Sequence, residues 1–156
     1  AKVGEVMLAI GIDPGKSGAL AVMYLDEDRS VIRIKLVPFE EQAYRDALLC
    51  CKDEKVVCLV EKVGAMPGQG VVSMFNFGRN LGLIEGMLMA LNLPYQLVPP
   101  QTWKKEFSLS SDKQMSIDVC KRLFPNINLL ATPRSRKESD GLAEALLMAE
   151  YARRRM

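Results

Sequence analysis

Histidine is absent from this chain of 156 residues, and with it go the Ser-His and Cys-His nucleophile pairs and the commonest general base in proteins. Cysteine is scarce. Cys50, Cys51, Cys58 and Cys120 contain no Cys-x-x-Cys pair, so neither a disulfide framework nor a structural zinc site is expected, and in a reducing compartment the thiols read as small buried hydrophobes. No apolar run approaches the ~18 residues of a membrane span, and the first residues lack the charged, apolar and cleavage regions of a secretory signal. The expectation is a cytoplasmic chain without a membrane partner. Strong net charge is missing too: 21 Lys and Arg against 19 Asp and Glu leave +2, too little to announce a nucleic-acid partner. Repeats and low-complexity tracts are also lacking.

Chemistry must therefore run on carboxylates, lysines or a metal. A hydrophobic content of 49% over this length matches one globular domain, residues 1–156, that buries its own core. The most informative stretch is Ile10-Gly11-Ile12-Asp13-Pro14-Gly15-Lys16-Ser17-Gly18, followed by Ala19-Leu20-Ala21-Val22. Leu8 to Ile12 reads as a buried strand, Pro14, Gly15 and Gly18 as a turn, and Ala19 to Leu25 as a second strand. Asp13 then lies near the middle of a sheet, where a charge is costly unless paired, hydrogen-bonded or bound to a cation. The alternative is an Asp that caps the turn.

Ser30 to Val37 predicts a third, antiparallel strand after the polar turn Asp26-Glu27-Asp28. Glu40 to Cys51 reads as helix. Lys55 to Glu61 is a strand buried on both faces, ending in a second isolated carboxylate. A Gly- and Pro-rich loop, Lys62 to Gly70, precedes the longest helix, Val71 to Leu91. Gly78, Gly82 and Gly86 recur every fourth residue along it and allow close approach of another backbone, either the sheet or a helix across a dimer. Tyr95 to Val98 is a strand stopped by Pro99 and Pro100, and Gln101 to Phe107 a short helix carrying Lys104 and Lys105. Ser111 or Asp112 caps a helix to Leu123, closed by Pro125, and the last helix starts near Glu138 or Ser139 and runs through Tyr151.

Asp13, Glu61 and the pair Asp140 and Glu144 thus come from three distant segments. Residues four apart share a helix face, so the last two can point together toward the sheet, unless they belong to a solvated face. Crowded carboxylates repel one another unless divalent cations neutralise them, and oxygen donors suit Mg2+ or Mn2+. Two such ions roughly 3.5–4 Å apart can activate a water and stabilise the leaving oxygen of a displacement at phosphorus. Basic residues gather at Lys104, Lys105 and Lys113 and again at Arg134, Arg136, Lys137 and Arg153 to Arg155, as a DNA contact or as solvated surface.

Gly11-Ile12-Asp13-Pro14-Gly15, Val60-Glu61, Pro100-Gln101-Thr102-Trp103-Lys104-Lys105 and Asp140-Gly141-Leu142-Ala143-Glu144-Ala145-Leu146-Leu147 together resemble the motifs of the RuvC-like Holliday junction resolvases, and particularly their compact phage-type branch. The resemblance spans nearly the whole chain. It implies an α/β, ribonuclease H-like fold, with a mixed five-stranded sheet flanked by helices. It also implies a homodimer that cuts two opposing strands of a four-way DNA junction, with Mg2+, or Mn2+ in its place, as a pair of ions per site. For a phage-encoded chain the setting is the host-cell cytoplasm. Asp13, Glu61, Asp140 and Glu144 would ligate metal, and Lys104 would stand near the scissile phosphate. Lys105, Lys113, Met66, Gln69, Arg136 and Lys137 would contact DNA. Met66 and Phe75 are potential apolar wedges against unpaired bases, with core packing preferred for Phe75.

Two positions depart from the family pattern. Relatives carry two acids three apart at the last helix, or a histidine in the first place, whereas Lys137 stands three before Asp140. Either the earlier acid is replaced, or Asp140 and Glu144 form the pair at wider spacing; the second is adopted. Gly64 occupies the place of an aromatic wedge in cellular relatives. The rival readings are a broader flap or fork endonuclease, a non-catalytic junction-binding protein, and an actin-like ATPase or sugar kinase, for which the chain is too short.

Overall fold

The computed structural model describes residues 6–62, 64 and 67–156. Strands Met7–Ile12 (β1), Ala19–Leu25 (β2), Val31–Pro38 (β3), Lys55–Glu61 (β4) and Gln96–Val98 (β5) form one sheet in the order β3-β2-β1-β4-β5. The β1–β2 and β2–β3 pairs are antiparallel, whereas β1–β4 and β4–β5 are parallel. Helices are Glu41–Leu49 (α1), Val71–Ala90 (α2), Pro100–Glu106 (α3), Lys113–Leu123 (α4) and Asp140–Arg154 (α5). This mixed five-stranded sheet flanked by helices is the expected fold class.

Alternation along β1 divides the core. Leu8, Ile10 and Ile12 pack with Tyr44 and Leu48 of α1 and Ile84 and Leu88 of α2. On the opposite face Ala9, with Ala19, Ala21 and Met23 of β2, meets Leu142, Ala145, Met148 and Ala149 of α5. That face is built from small residues because the helix lies almost on the strand: a Cβ at Gly11 would stand 2.3 Å from the Ala145 carbonyl oxygen and 2.6 Å from the Ala149 nitrogen. A Cβ at Gly141 would stand 2.0 Å from the Ser17 carbonyl oxygen. The start of α5 is thereby pinned against the β1–β2 turn.

Capping chemistry sets several boundaries. The Glu40 carboxylate accepts from the Gln42 and Ala43 backbone N–H groups, so Glu40 precedes α1, and the helix ends at Leu49, short of the expected Cys51. Asp112 caps α4 through Gln114 N–H, and Ser139 caps α5 through Leu142 N–H. Strand β3 reaches Pro38 at the sheet edge, where a missing N–H is tolerated.

One of the two readings of the α2 glycines fails, and so does the core reading of Phe75. Gly78, Gly82 and Gly86 do not pack on the sheet, since an added Cβ at any of them meets nothing within 4 Å. Phe75 is not core: it is 69% exposed. The reason is geometric, because Asn80, Ile84 and Leu88 are the buried residues of α2 and the 3.6-residue period turns Val71, Phe75, Gly78, Gly82, Gly86 and Met89 to the opposite side.

Candidate active site

In the parallel register of β1 and β4, Ile12 lies opposite Val60, so Asp13 and Glu61, one residue further, leave the sheet side by side. Both follow the alternation onto the face covered by α5. Asp13 is held in its turn by a 2.9 Å hydrogen bond from Gly15 N–H to Oδ1 and a 2.9 Å bond from its own N–H to the Ala19 carbonyl. Gly18 is required there, because a Cβ would fall 2.3 Å from the Asp13 carbonyl oxygen. The buried Tyr44 hydroxyl donates to that same carbonyl at 3.5 Å.

The first turns of α5 bring in the other two acids. Asp140 lies 3.4 Å from Lys113 Nζ, and Glu144 lies 3.6 Å from Lys104 Nζ and accepts from Ser116 Oγ at 3.4 Å. Glu61, 8% exposed, accepts a 2.8 Å hydrogen bond from the Trp103 indole N–H. The groups feel one another's charge. Burial raises the Asp13 pKa above the ordinary aspartate value, with Asp140 adding to the rise and Lys104 and Lys113 opposing it. Glu61 is pushed up to about 7, first by burial and then by the Asp13 carboxylate. Burial likewise raises Glu144, against the pull of Lys104.

These shifts have a sign that can be measured. A carboxyl with a raised folded-state pKa binds its proton more tightly in the native chain, so its contribution to stability is greatest below the unfolded value and falls as pH rises through the folded one. For Glu61 that window runs from 4.5 to about 7 and is worth about 3 kcal/mol. Metal-free protein is expected to melt at lower temperature at pH 8 than at pH 5.5 in thermal unfolding with EDTA, and added Mg2+ should restore more stability at the higher pH. A melting temperature that climbs with pH in EDTA would remove the account of a strained acidic cluster.

The structure brings Asp13, Glu61, Asp140, Glu144, Lys104 and Lys113 together. Among the described residues, no three acidic or cysteine side chains close into a ready-made metal cage; Lys104 and Lys113 are paired with Glu144 and Asp140. The donor chemistry nevertheless fits a hard divalent cation: all donors are carboxylate oxygens, they carry excess negative charge in a buried setting, and Cys51, Cys58 and Cys120 lie in the core. Lys105, Arg136 and Lys137 are exposed and are absent from the charges that act on the acids. Glu144, by contrast, acts on Glu61. Gln69 lies just before α2, Gly64 is exposed, and Met66 lies outside the described residues.

Solved structures share this arrangement of elements. Thermus thermophilus RuvC in complex with a Holliday junction substrate superposes with a TM-score of 0.59 at 15% sequence identity, covering 96% of each chain. The fold is that of RuvC. A second structure of Thermus thermophilus RuvC gives a TM-score of 0.56 at 18% identity, again over 96% of each chain. No protein-family model and no curated protein sequence matches the chain.

Sequence reasoning missed Trp103 and Ser116 as partners of the acids. Trp103 carried a signal, being the chain's one tryptophan, set among polar residues beside Lys104. Ser116 carried none beyond its place between Met115 and Ile117, on the buried face of α4.

Proposed function

We propose that this chain is a structure-selective endonuclease that resolves four-way DNA junctions by divalent-metal-dependent phosphodiester hydrolysis. The observation that carries the reading is the gathering of Asp13, Glu61, Asp140 and Glu144, with two lysines among them, at the ends of two parallel central strands. In this reading the four acids hold Mg2+, or Mn2+ in its place. Bound there, the metal supplies an activated water and charge stabilisation at the leaving oxygen. The RuvC neighbour bound to a Holliday junction supports branched DNA as the substrate, and the four sequence motifs taken together resemble those of the compact phage-type branch.

Lys104 and Lys113 are the cations best placed to meet a phosphate. The Lys104 ammonium, held by Glu144, would stabilise charge that develops on the phosphate oxygens. Lys104→Ala is expected to slow cleavage by about 10²-fold with junction affinity nearly kept; unchanged single-turnover rates would return this lysine to the solvated surface. Lys105, Arg136 and Lys137, being exposed, suit phosphate contacts further along the arms, so binding should weaken steeply with added salt.

The direct test is incubation with a labelled four-way junction, matched duplex and flap substrates, in Mg2+ or in EDTA. Paired nicks confined to the junction and dependent on Mg2+ are expected. Equal cutting of flaps would make the protein a broader branched-DNA nuclease, and binding without cuts would make it a scaffold.

Symmetric cutting calls for two copies, and α2 offers the surface. Val71, Phe75 and Met89 are 81%, 69% and 66% exposed on the side that carries the three glycines. In a homodimer the glycines would let the α2 backbones of two copies approach closely, with the larger side chains packed around them. Gly82→Arg should leave the protomer folded, since its Cβ meets nothing within 4 Å and Arg favours helix over Gly by up to about 1 kcal/mol. Light scattering should show a dimer for the native chain and a monomer for the variant. A native monomer at working concentration would refute the pairing.

A further inference from the structure

We propose that Trp103 is a positioning residue for Glu61, its indole N–H fixing the carboxylate in the orientation a divalent cation needs. The inference rests on the nuclease reading above and assigns a role that the acids alone do not reveal. Trp103 is wholly buried on α3, and a buried indole N–H must find an acceptor. Its acceptor is Oε2 of Glu61, 42 residues away in the chain, at 2.8 Å. Aromatic packing alone would need no donor, and a charge-assisted bond to a carboxylate is among the stronger and more directional available. The indole takes Oε2, and the rest of the carboxylate would remain to hold a cation.

The helix carrying the indole is itself clamped. At the end of α3, Glu106 accepts hydrogen bonds of 2.9 Å from both Arg154 and Arg155 of the C-terminal segment. Arg154 in turn bonds the buried Glu150 at 2.9 Å. The next residue along α3, Lys104, reaches Glu144 and lies 5.6 Å from the Trp103 ring centroid. One short helix therefore presents a donor to Glu61 and a cation to Glu144. Outer donors that orient a ligating carboxylate are typically worth about 10–100-fold in metal affinity.

Because Trp103 is the chain's one tryptophan, it also reports on its own acceptor. Mn2+ titrated into the full chain without DNA is expected to change the intrinsic emission saturably, with the same midpoint by calorimetry. Trp103→Phe, which keeps a ring and removes the donor, should weaken Mn2+ binding by about 10–100-fold. It should raise the Mg2+ needed for half-maximal junction cleavage by a similar factor and leave KM for the junction unchanged. Since Phe leaves a void in the core, a second variant carries benzothienylalanine at position 103, which preserves the bicyclic shape and lacks the N–H; the same loss is expected. Native Mn2+ affinity in that isostere overturns the inference while native cleavage leaves the nuclease reading standing. A wild-type chain that binds no Mn2+ and cuts no junction overturns the nuclease reading itself.

Discussion

Asp13→Asn is expected to abolish junction cleavage, by about 10³-fold or more, while junction binding persists or tightens. The physical reason lies in what the substitution keeps and what it removes. Asparagine retains an Oδ1 that can accept the 2.9 Å bond from Gly15 N–H, so the turn between β1 and β2 survives. What disappears is a half-buried negative charge next to Glu61, whose pKa is raised first by burial and then by that charge. Stability should not fall, because burial already disfavours the ionised form of Asp13. A loss of that size corresponds to about 4 kcal/mol of transition-state stabilisation, within the range a metal ligand supplies. Single-turnover cleavage and gel-shift measurements on the same junction separate the two effects. If Asp13 were only a turn cap, the variant would cut at the native rate.

Gly11→Ala is expected to destabilise the fold by about 3 kcal/mol or more. Its new Cβ would meet backbone atoms of Ala145 and Ala149 at 2.3 and 2.6 Å, and backbone cannot swing aside as the end of a long side chain can. Helix α5 would have to lift from β1, carrying Glu144 away from Asp13 and Glu61. Against a typical total of about 5–15 kcal/mol, urea unfolding would show a large part of the stability gone, with cleavage reduced in whatever remains folded. Gly82→Ala, whose Cβ meets nothing within 4 Å in the protomer, is the matched control, expected to be neutral for the protomer or to stabilise it by up to about 1 kcal/mol. Equal stability of the two variants would mean that α5 does not depend on contact with the strand.

Much of the framework was legible because local rules and tertiary packing agree. Strands β2 and β4 fall on the expected Ala19 to Leu25 and Lys55 to Glu61, since their apolar runs are bounded by turns and the faces they bury are continuous. The last helix was placed to within two residues by Ser139, whose hydroxyl does cap it. Disagreement arose where periodicity is indifferent to context. The apolar residues of α2 recur on more than one side of the helix, and pattern alone did not say that Ile84 and Leu88 would face the sheet while Phe75 and the glycines faced outward. Trp103 shows the same limit: a donor in the chain names no acceptor until the fold supplies one.

The residues by themselves determined the chemistry available. A chain without histidine, whose isolated carboxylates close two strands and open a helix, is confined to oxygen donors and ammonium groups wherever those acids end up. Only the tertiary structure decided that they share a site. The register of β1 against β4 set Asp13 beside Glu61, and the absence of side chains at Gly11 and Gly141 let α5 come close enough to add Asp140 and Glu144. Distances of that kind depend on which backbones can touch, and touching is a property of pairs of segments that no single stretch of sequence contains.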